Sequence, residues 1–111
     1  TLNNPMGFLP AAFSSSYFGI NSPAAVQEVG ADYGTPAGGA VGTGPFRFVE
    51  WVDGTSVTLE RNPDYWGEPA GVERLVFRGI EDPTARLAEL QAGSIDIAVS
   101  LSPDDRETIE G

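Results

Sequence analysis

The sequence predicts a fold that combines strands and helices, of the α/β class or, as the alternative, α+β. Three observations support this prediction. Aromatic and β-branched residues around a two-residue turn signal indicate a β-hairpin over about 45–53 and 55–61. An apolar run, a helical pattern and a second apolar run follow over 72–99, which is typical of a strand–helix–strand crossover between parallel neighbours. Helix start signals, a capping residue followed by proline, flank the hairpin at Ser22 and Asp82.

The first part of the chain is predicted to hold helices and a long loop. A short helix is expected over 7–13, and a better-defined one over 22–30. In the second, Ser22 can cap the free amides, Pro23 suits the first helical position, and Gly30 can end the helix. Residues 30–44 include six glycines and a proline, so they are predicted to form a loop within one fold.

The hairpin is justified by its turn and by its end. Asp53-Gly54 is a strong turn signal between two runs with strand character. Pro63 lacks an amide hydrogen for a strand ladder, so the segment 62–64 is expected to end the second strand. A third strand is predicted over 72–80.

The last part of the chain is predicted to be a helix, a strand and a helix. Asp82-Pro83 begins the first of these, alanines and leucines give it an apolar side, and Gly93 ends it. Residues 95–99 are apolar enough to predict a short buried strand. Ser102 and Asp105 have the spacing of a capping box, which predicts the start of a final helix.

Composition excludes several functions. The chain has 111 residues, 16 acidic and 6 basic side chains, and a formal net charge of −10. This balance, without a basic cluster, disfavours binding to nucleic acid. The absence of cysteine and histidine removes thiolate chemistry, Ser-His-Asp catalysis and the commonest metal ligands, and no cofactor or metal is predicted. No apolar run reaches the roughly 18 residues of a membrane span.

Two other function classes remain open from the residues alone. Trp51 and Trp66 lie in or beside the hairpin, and exposed indoles can stack on sugars. They allow a stand-alone carbohydrate-binding or adhesion module, although packing explains them more simply. A glycosidase would need two carboxyl groups across a cleft. Sixteen acidic residues make chance pairs common, so no catalytic residue is assigned.

Four stretches, in order along nearly the whole chain, resemble one known family. Residues 41–51 resemble the "GTGPF" strand start of extracellular solute-binding proteins of family 5, and 59–67 resemble their "RNPDYWG" turn. Residues 87–97 resemble their helix-to-strand step, and 20–25 their "I-x-S-P-x-A" helix start. The family contains the dipeptide and oligopeptide receptors of ABC importers.

The resemblance implies a fold, a function and a location. The fold would be periplasmic-binding-protein-like (type II), with residues 1–111 forming a single partial domain from the first of two lobes. The function would be the binding of a peptide or other small solute by closure of both lobes, followed by delivery to an ABC permease. The parent protein would be periplasmic or extracellular and membrane-anchored through a missing N-terminus. In peptide-binding members the acidic group that holds the peptide's amino terminus lies in the other lobe.

Two segments are expected to approach the solute. Ligands of α/β sheets gather at the carboxyl ends of strands, which favours Ser100, Leu101 and Ser102 after the strand predicted over 95–99. Ser102 has a competing role as a helix cap. Ser16 and Tyr17, in a serine-rich stretch, are the second candidates, and an ordinary surface loop is the alternative for them.

Overall fold

The structure is a computed structural model, and it describes residues 7–8, 11, 14–15, 19–102 and 105. The predicted helix over 7–13 and the body of the predicted final helix lie mostly outside these residues. The regular elements, in chain order, are α1 (Pro23–Val29), β1 (Phe46–Val52), β2 (Ser56–Arg61), β3 (Arg74–Arg78) and α2 (Pro83–Gln91).

Helix α1 confirms its predicted start and end. The Ser22 side chain accepts a hydrogen bond from the Ala25 amide at 3.3 Å, and Pro23 occupies the first turn. Gly30 ends the helix with a φ of 67°, a conformation that glycine adopts without a Cβ penalty. A short 3₁₀ helix, Gly30–Asp32, then opens the glycine-rich loop.

The glycine-rich loop folds back onto itself and onto the hairpin. The Tyr33 hydroxyl donates to the Val41 carbonyl at 3.1 Å and accepts from the Val41 amide at 3.2 Å. Gly39 has a φ of 60° and lies so close to the Phe48 ring that a Cβ at this position would overlap it. The loop therefore packs against β1 through the contact between Gly39 and Phe48.

The three strands form one antiparallel sheet in the order β1-β2-β3. The hairpin is confirmed, with Gly54 at a φ of 65° in the turn. Its register shifts between Phe48 and Glu50, which leaves Val49 as a bulge. The third strand is also confirmed, although it is shorter than the predicted 72–80.

Residues that face each other across the sheet lie on the same face. One face is apolar, because Phe48, Leu59 and Leu75 are in register, as are Trp51, Val57 and Phe77. The other face carries Arg47, Glu60 and Arg74 in one row, and Thr58 beside Val76 in another. Thr58 and Ala25 are the buried polar and apolar side chains among the described residues.

The "RNPDYWG" turn is attached to the start of β1. The Asn62 side-chain amide donates to the Gly44 carbonyl at 2.9 Å, and its backbone amide donates to the Pro45 carbonyl at 2.9 Å. The Asn62 side-chain oxygen accepts from the Asp64 amide at 3.1 Å, which makes an Asx turn. Two motifs that are distant in sequence thus form one structural unit.

Helix α2 is confirmed, but the strand predicted after it is not formed. Residues 95–99 pair with no strand in the described part of the chain, so the parallel crossover is also absent there. Ile97 and Val99 are 80% and 71% exposed, contrary to the predicted burial. The physical reason is that a strand needs a neighbour for its backbone groups, and a cleft separates this segment from β3.

Candidate functional site

The segment that carries Ser100, Leu101 and Ser102 passes beside the start of α2. Helix α2 begins with Asp82, whose carboxylate accepts a hydrogen bond from the Ala85 amide at 3.0 Å. This bond and another to the Thr84 backbone lower the pKa of Asp82 below its ordinary value of 3.8. The cap fixes the first turn of the helix, and Arg86 projects from it.

Arg86 joins two separate segments of backbone through its guanidinium group. One terminal nitrogen donates to the Ile80 carbonyl at 2.5 Å and to the Glu81 carbonyl at 3.0 Å. The other terminal nitrogen donates to the Ser100 carbonyl at 3.0 Å. The Arg86 side chain therefore holds the linker between β3 and α2 next to the predicted ligand-binding segment.

Ser100 has an unusual backbone conformation. Its φ of 58° is the only positive value at a non-glycine residue in the described part of the chain. Side chains with a Cβ enter this left-handed region at a cost, and such outliers are concentrated at functional sites. The chain turns sharply here, directly after the apolar segment 95–99.

Ser102 shows the capping geometry that competed with its ligand-binding role. Its amide donates to the Asp105 carboxylate at 2.8 Å, and the Asp105 amide donates to the Ser102 carbonyl at 3.0 Å. This is the reciprocal half of a capping box, in which the acidic side chain reaches back to the N-cap amide. Ser102 is nevertheless exposed, and Leu101 beside it is half-buried.

An apolar cleft of about 810 Å³ lies between β3 and the segment 94–99. Val76 and Phe77 line it from the strand, and Ile97 and Val99 line it from the opposite side. β3 is the last strand of the described sheet, and the segment 95–99 pairs with none of the described strands. The predicted ligand-binding segment begins where this apolar wall ends.

The second candidate pair, Ser16 and Tyr17, lies outside the described residues. The two tryptophans are described, and the structure does not bring them together. Trp51 is half-buried in register with Val57 near the hairpin turn. Trp66 is 81% exposed and follows the opposite end of β2, and its ring centroid lies 5.1 Å from that of Tyr65.

Arg86 belongs to this site, although the sequence did not predict it. The only available signal was an arginine one turn after a capped helix start, which is a common pattern on solvated helices. Its partners are backbone carbonyls, which carry no sequence signature. In the described residues no three carboxylates gather in the manner of a metal site. No described helix is long and apolar enough to cross a membrane.

The geometry defines an α/β fragment in which an antiparallel sheet and a capped helix position a turn at the edge of a cleft. The sequence model of the protein family "bacterial extracellular solute-binding proteins, family 5 Middle" matches residues 1–111. The chain belongs to this family of solute-binding proteins.

Known proteins with similar sequences and structures agree with this assignment. The oligopeptide-binding protein AppA of Bacillus subtilis is 39% identical over 70 residues, which cover 63% of this chain and 13% of AppA. The probable D,D-dipeptide-binding periplasmic protein DdpA of Escherichia coli is 30% identical over 99% of this chain and 22% of DdpA. The structure of the periplasmic binding protein DppA from Helicobacter pylori in complex with the peptide STSA matches with a TM-score of 0.85 and 27% identity. That match covers 99% of this chain and 22% of DppA.

The comparisons confirm the periplasmic-binding-protein-like fold. The three similar proteins are named as peptide-binding proteins or are solved with a bound peptide. This agrees with the importer interpretation and not with a stand-alone carbohydrate-binding module. The chain spans 13% to 22% of the length of these three relatives.

Proposed function

We propose that this chain is a portion of the first lobe of a receptor that binds short peptides for an ABC importer. The observation that carries the proposal is the agreement over 99% of the chain, at a TM-score of 0.85, with a binding protein that holds a peptide. The relatives AppA and DdpA are also named for peptide binding. The receptor would lie outside the cytoplasmic membrane, be anchored to it, and deliver its solute to a permease.

Within this function, we place Ser100, Leu101 and Ser102 at the solute. The supporting features are the sharp turn at Ser100, its attachment to Arg86, and its position at the end of the cleft. An extended peptide offers backbone donors and acceptors, which an exposed turn can match. Ser16 and Tyr17 remain candidates for the same surface. Closure of a second lobe would then enclose the peptide and exclude water.

The proposed function is tested with the purified whole receptor and a pool of short peptides, using isothermal titration calorimetry. Maltotriose serves as the control solute, because it tests the carbohydrate alternative with a molecule of similar size. Heat of binding with the peptides and none with maltotriose is the expected result. Binding of maltotriose without binding of peptides would contradict the proposal.

A further inference from the structure

Arg86 bonds to backbone, whereas two other arginines bond to carboxylates. Arg47 forms an ion pair with Glu60 at 2.6 Å, and Arg78 forms a two-bond ion pair with Glu89. The three bonds of Arg86 all end on carbonyl oxygens, on both sides of α2. Bonds to carbonyls fix the path of the backbone whatever side chains those positions carry.

The position of Arg86 is not explained by a gain in stability alone. Its Nε atom is buried without a hydrogen-bond partner, and it is the only such side-chain atom among the described residues. A buried donor without a partner loses its bonds to water and gains nothing in return. This loss offsets part of the stabilising free energy that the three hydrogen bonds to carbonyls contribute to folding.

The backbone conformation of Ser100 gives the hydrogen bond from Arg86 a structural role. A residue with a Cβ stays in the left-handed region only when its surroundings hold it there. The bond from Arg86 acts on the carbonyl of this same residue. Without it, the turn is free to relax to a conformation that aims the following residues elsewhere.

We propose that Arg86 is a positioning residue of the peptide site, which holds the turn at Ser100 so that segment 100–102 faces the solute. This inference rests on the proposed function, and it adds a residue that has no direct contact with the peptide. Its effect is transmitted through one backbone carbonyl. The role needs two terminal nitrogens, one for the linker before α2 and one for the Ser100 carbonyl. A lysine has a single side-chain nitrogen, so it can replace Arg86 only in part.

The test compares Arg86→Met with Arg78→Met in the whole receptor, because Arg78 ties α2 to β3 through Glu89 and, among the described residues, shows no bond to segment 100–102. The probe is the tightest-binding peptide of the pool used above, followed by stopped-flow fluorescence. We expect Arg86→Met to weaken binding about tenfold, mainly through faster dissociation, since it removes a charged donor from the turn. Arg78→Met is expected to lower the thermal midpoint without changing the affinity.

Arg86→Lys is the second variant, and it keeps the proposal testable if Arg86→Met does not fold. An affinity between those of the wild type and the methionine variant is expected. Wild-type affinity in either Arg86 variant, or an equal loss in Arg78→Met, would overturn the positioning role while leaving the proposed function intact. A wild-type receptor that binds no peptide would overturn both.

Discussion

The Arg86 guanidinium and the Ser100 carbonyl oxygen are joined by a hydrogen bond of 3.0 Å, although the two residues are 14 positions apart in the chain. Between them lie the rest of α2 and the apolar segment 95–99. The bond closes this stretch into a loop that begins and ends at the same end of the helix. A solute that contacts segment 100–102 therefore contacts backbone that is hydrogen-bonded to the first turn of α2.

The backbone at Ser100 gives the first prediction. Ser100→Gly should leave the free energy of unfolding unchanged or raise it slightly, since glycine accepts a φ of 58° without strain. Ser100→Val should lower it by about 1–2 kcal/mol, because a branched Cβ is poorly tolerated in the left-handed region. Urea unfolding followed by circular dichroism measures both. Equal stability of the glycine and valine variants would show that Ser100 is not held in this conformation.

The cap of α2 predicts a pH dependence. The pKa of Asp82 is lowered by hydrogen bonds from the Ala85 and Thr84 backbone, so the ionised carboxylate is favoured in the folded state. Its contribution is fully present above the ordinary pKa of 3.8 and is lost as the pH falls through the lowered folded value. Asp82→Asn keeps a capping oxygen that does not titrate.

The measurement for this cap is the difference in unfolding free energy between the wild type and Asp82→Asn, followed from neutral pH into acid. The difference should shrink below pH 3.8. Ser22→Ala, at the cap of α1, is the matched control, and it should cost about 1 kcal/mol at every pH. A difference between wild type and Asp82→Asn that stays constant with pH would contradict the role of the charge.

The contact between the glycine-rich loop and β1 gives a third prediction. Gly39→Ala introduces a Cβ into the Phe48 ring at a positive φ, whereas Gly34→Ala meets a positive φ but open space. Both variants pay the conformational cost of about 1–2 kcal/mol. Gly39→Ala should lose a further 1–3 kcal/mol or so from overpacking. Equal losses in the two variants, measured by urea unfolding, would mean that the loop does not lie on Phe48.

The function predicts little affinity in this chain by itself. A receptor that closes two lobes around a peptide buries the solute against both, so one portion of a lobe supplies only part of the contacts. Isothermal titration of the 111-residue chain with the peptide pool should show no binding at micromolar concentrations. Micromolar affinity would place a complete site within these residues and contradict the two-lobe account.

The local elements were predictable because their signals are local. Ser22-Pro23, Asp53-Gly54 and Asp82-Pro83 each specify a cap or a turn within a few residues, and the structure forms all three. The prediction of a strand over 95–99 was wrong, and the reason lies in contacts with the rest of the sheet. Its apolar residues predict burial, but a strand also needs a partner for its backbone, and none of the described strands supplies one.

The candidate site was predictable only in part. Ser100 is expected near the solute from the general placement of ligands in α/β sheets, and this placement stays a prediction. Arg86 was missed because its partners are carbonyl oxygens, which every residue has. The resemblance to family 5 was visible in the sequence because its motifs are short segments that form turns, and turns need particular residues. Asn62, for example, ties its turn to the carbonyls of Gly44 and Pro45.

The most direct test of the central claim is native mass spectrometry of the receptor isolated from its source without denaturation. We expect a protein several times heavier than the 11.7 kDa of this chain, with added mass that tandem fragmentation assigns to short peptides. A heavy receptor that carries only oligosaccharide, or a native product of 11.7 kDa that carries no peptide, would contradict the account.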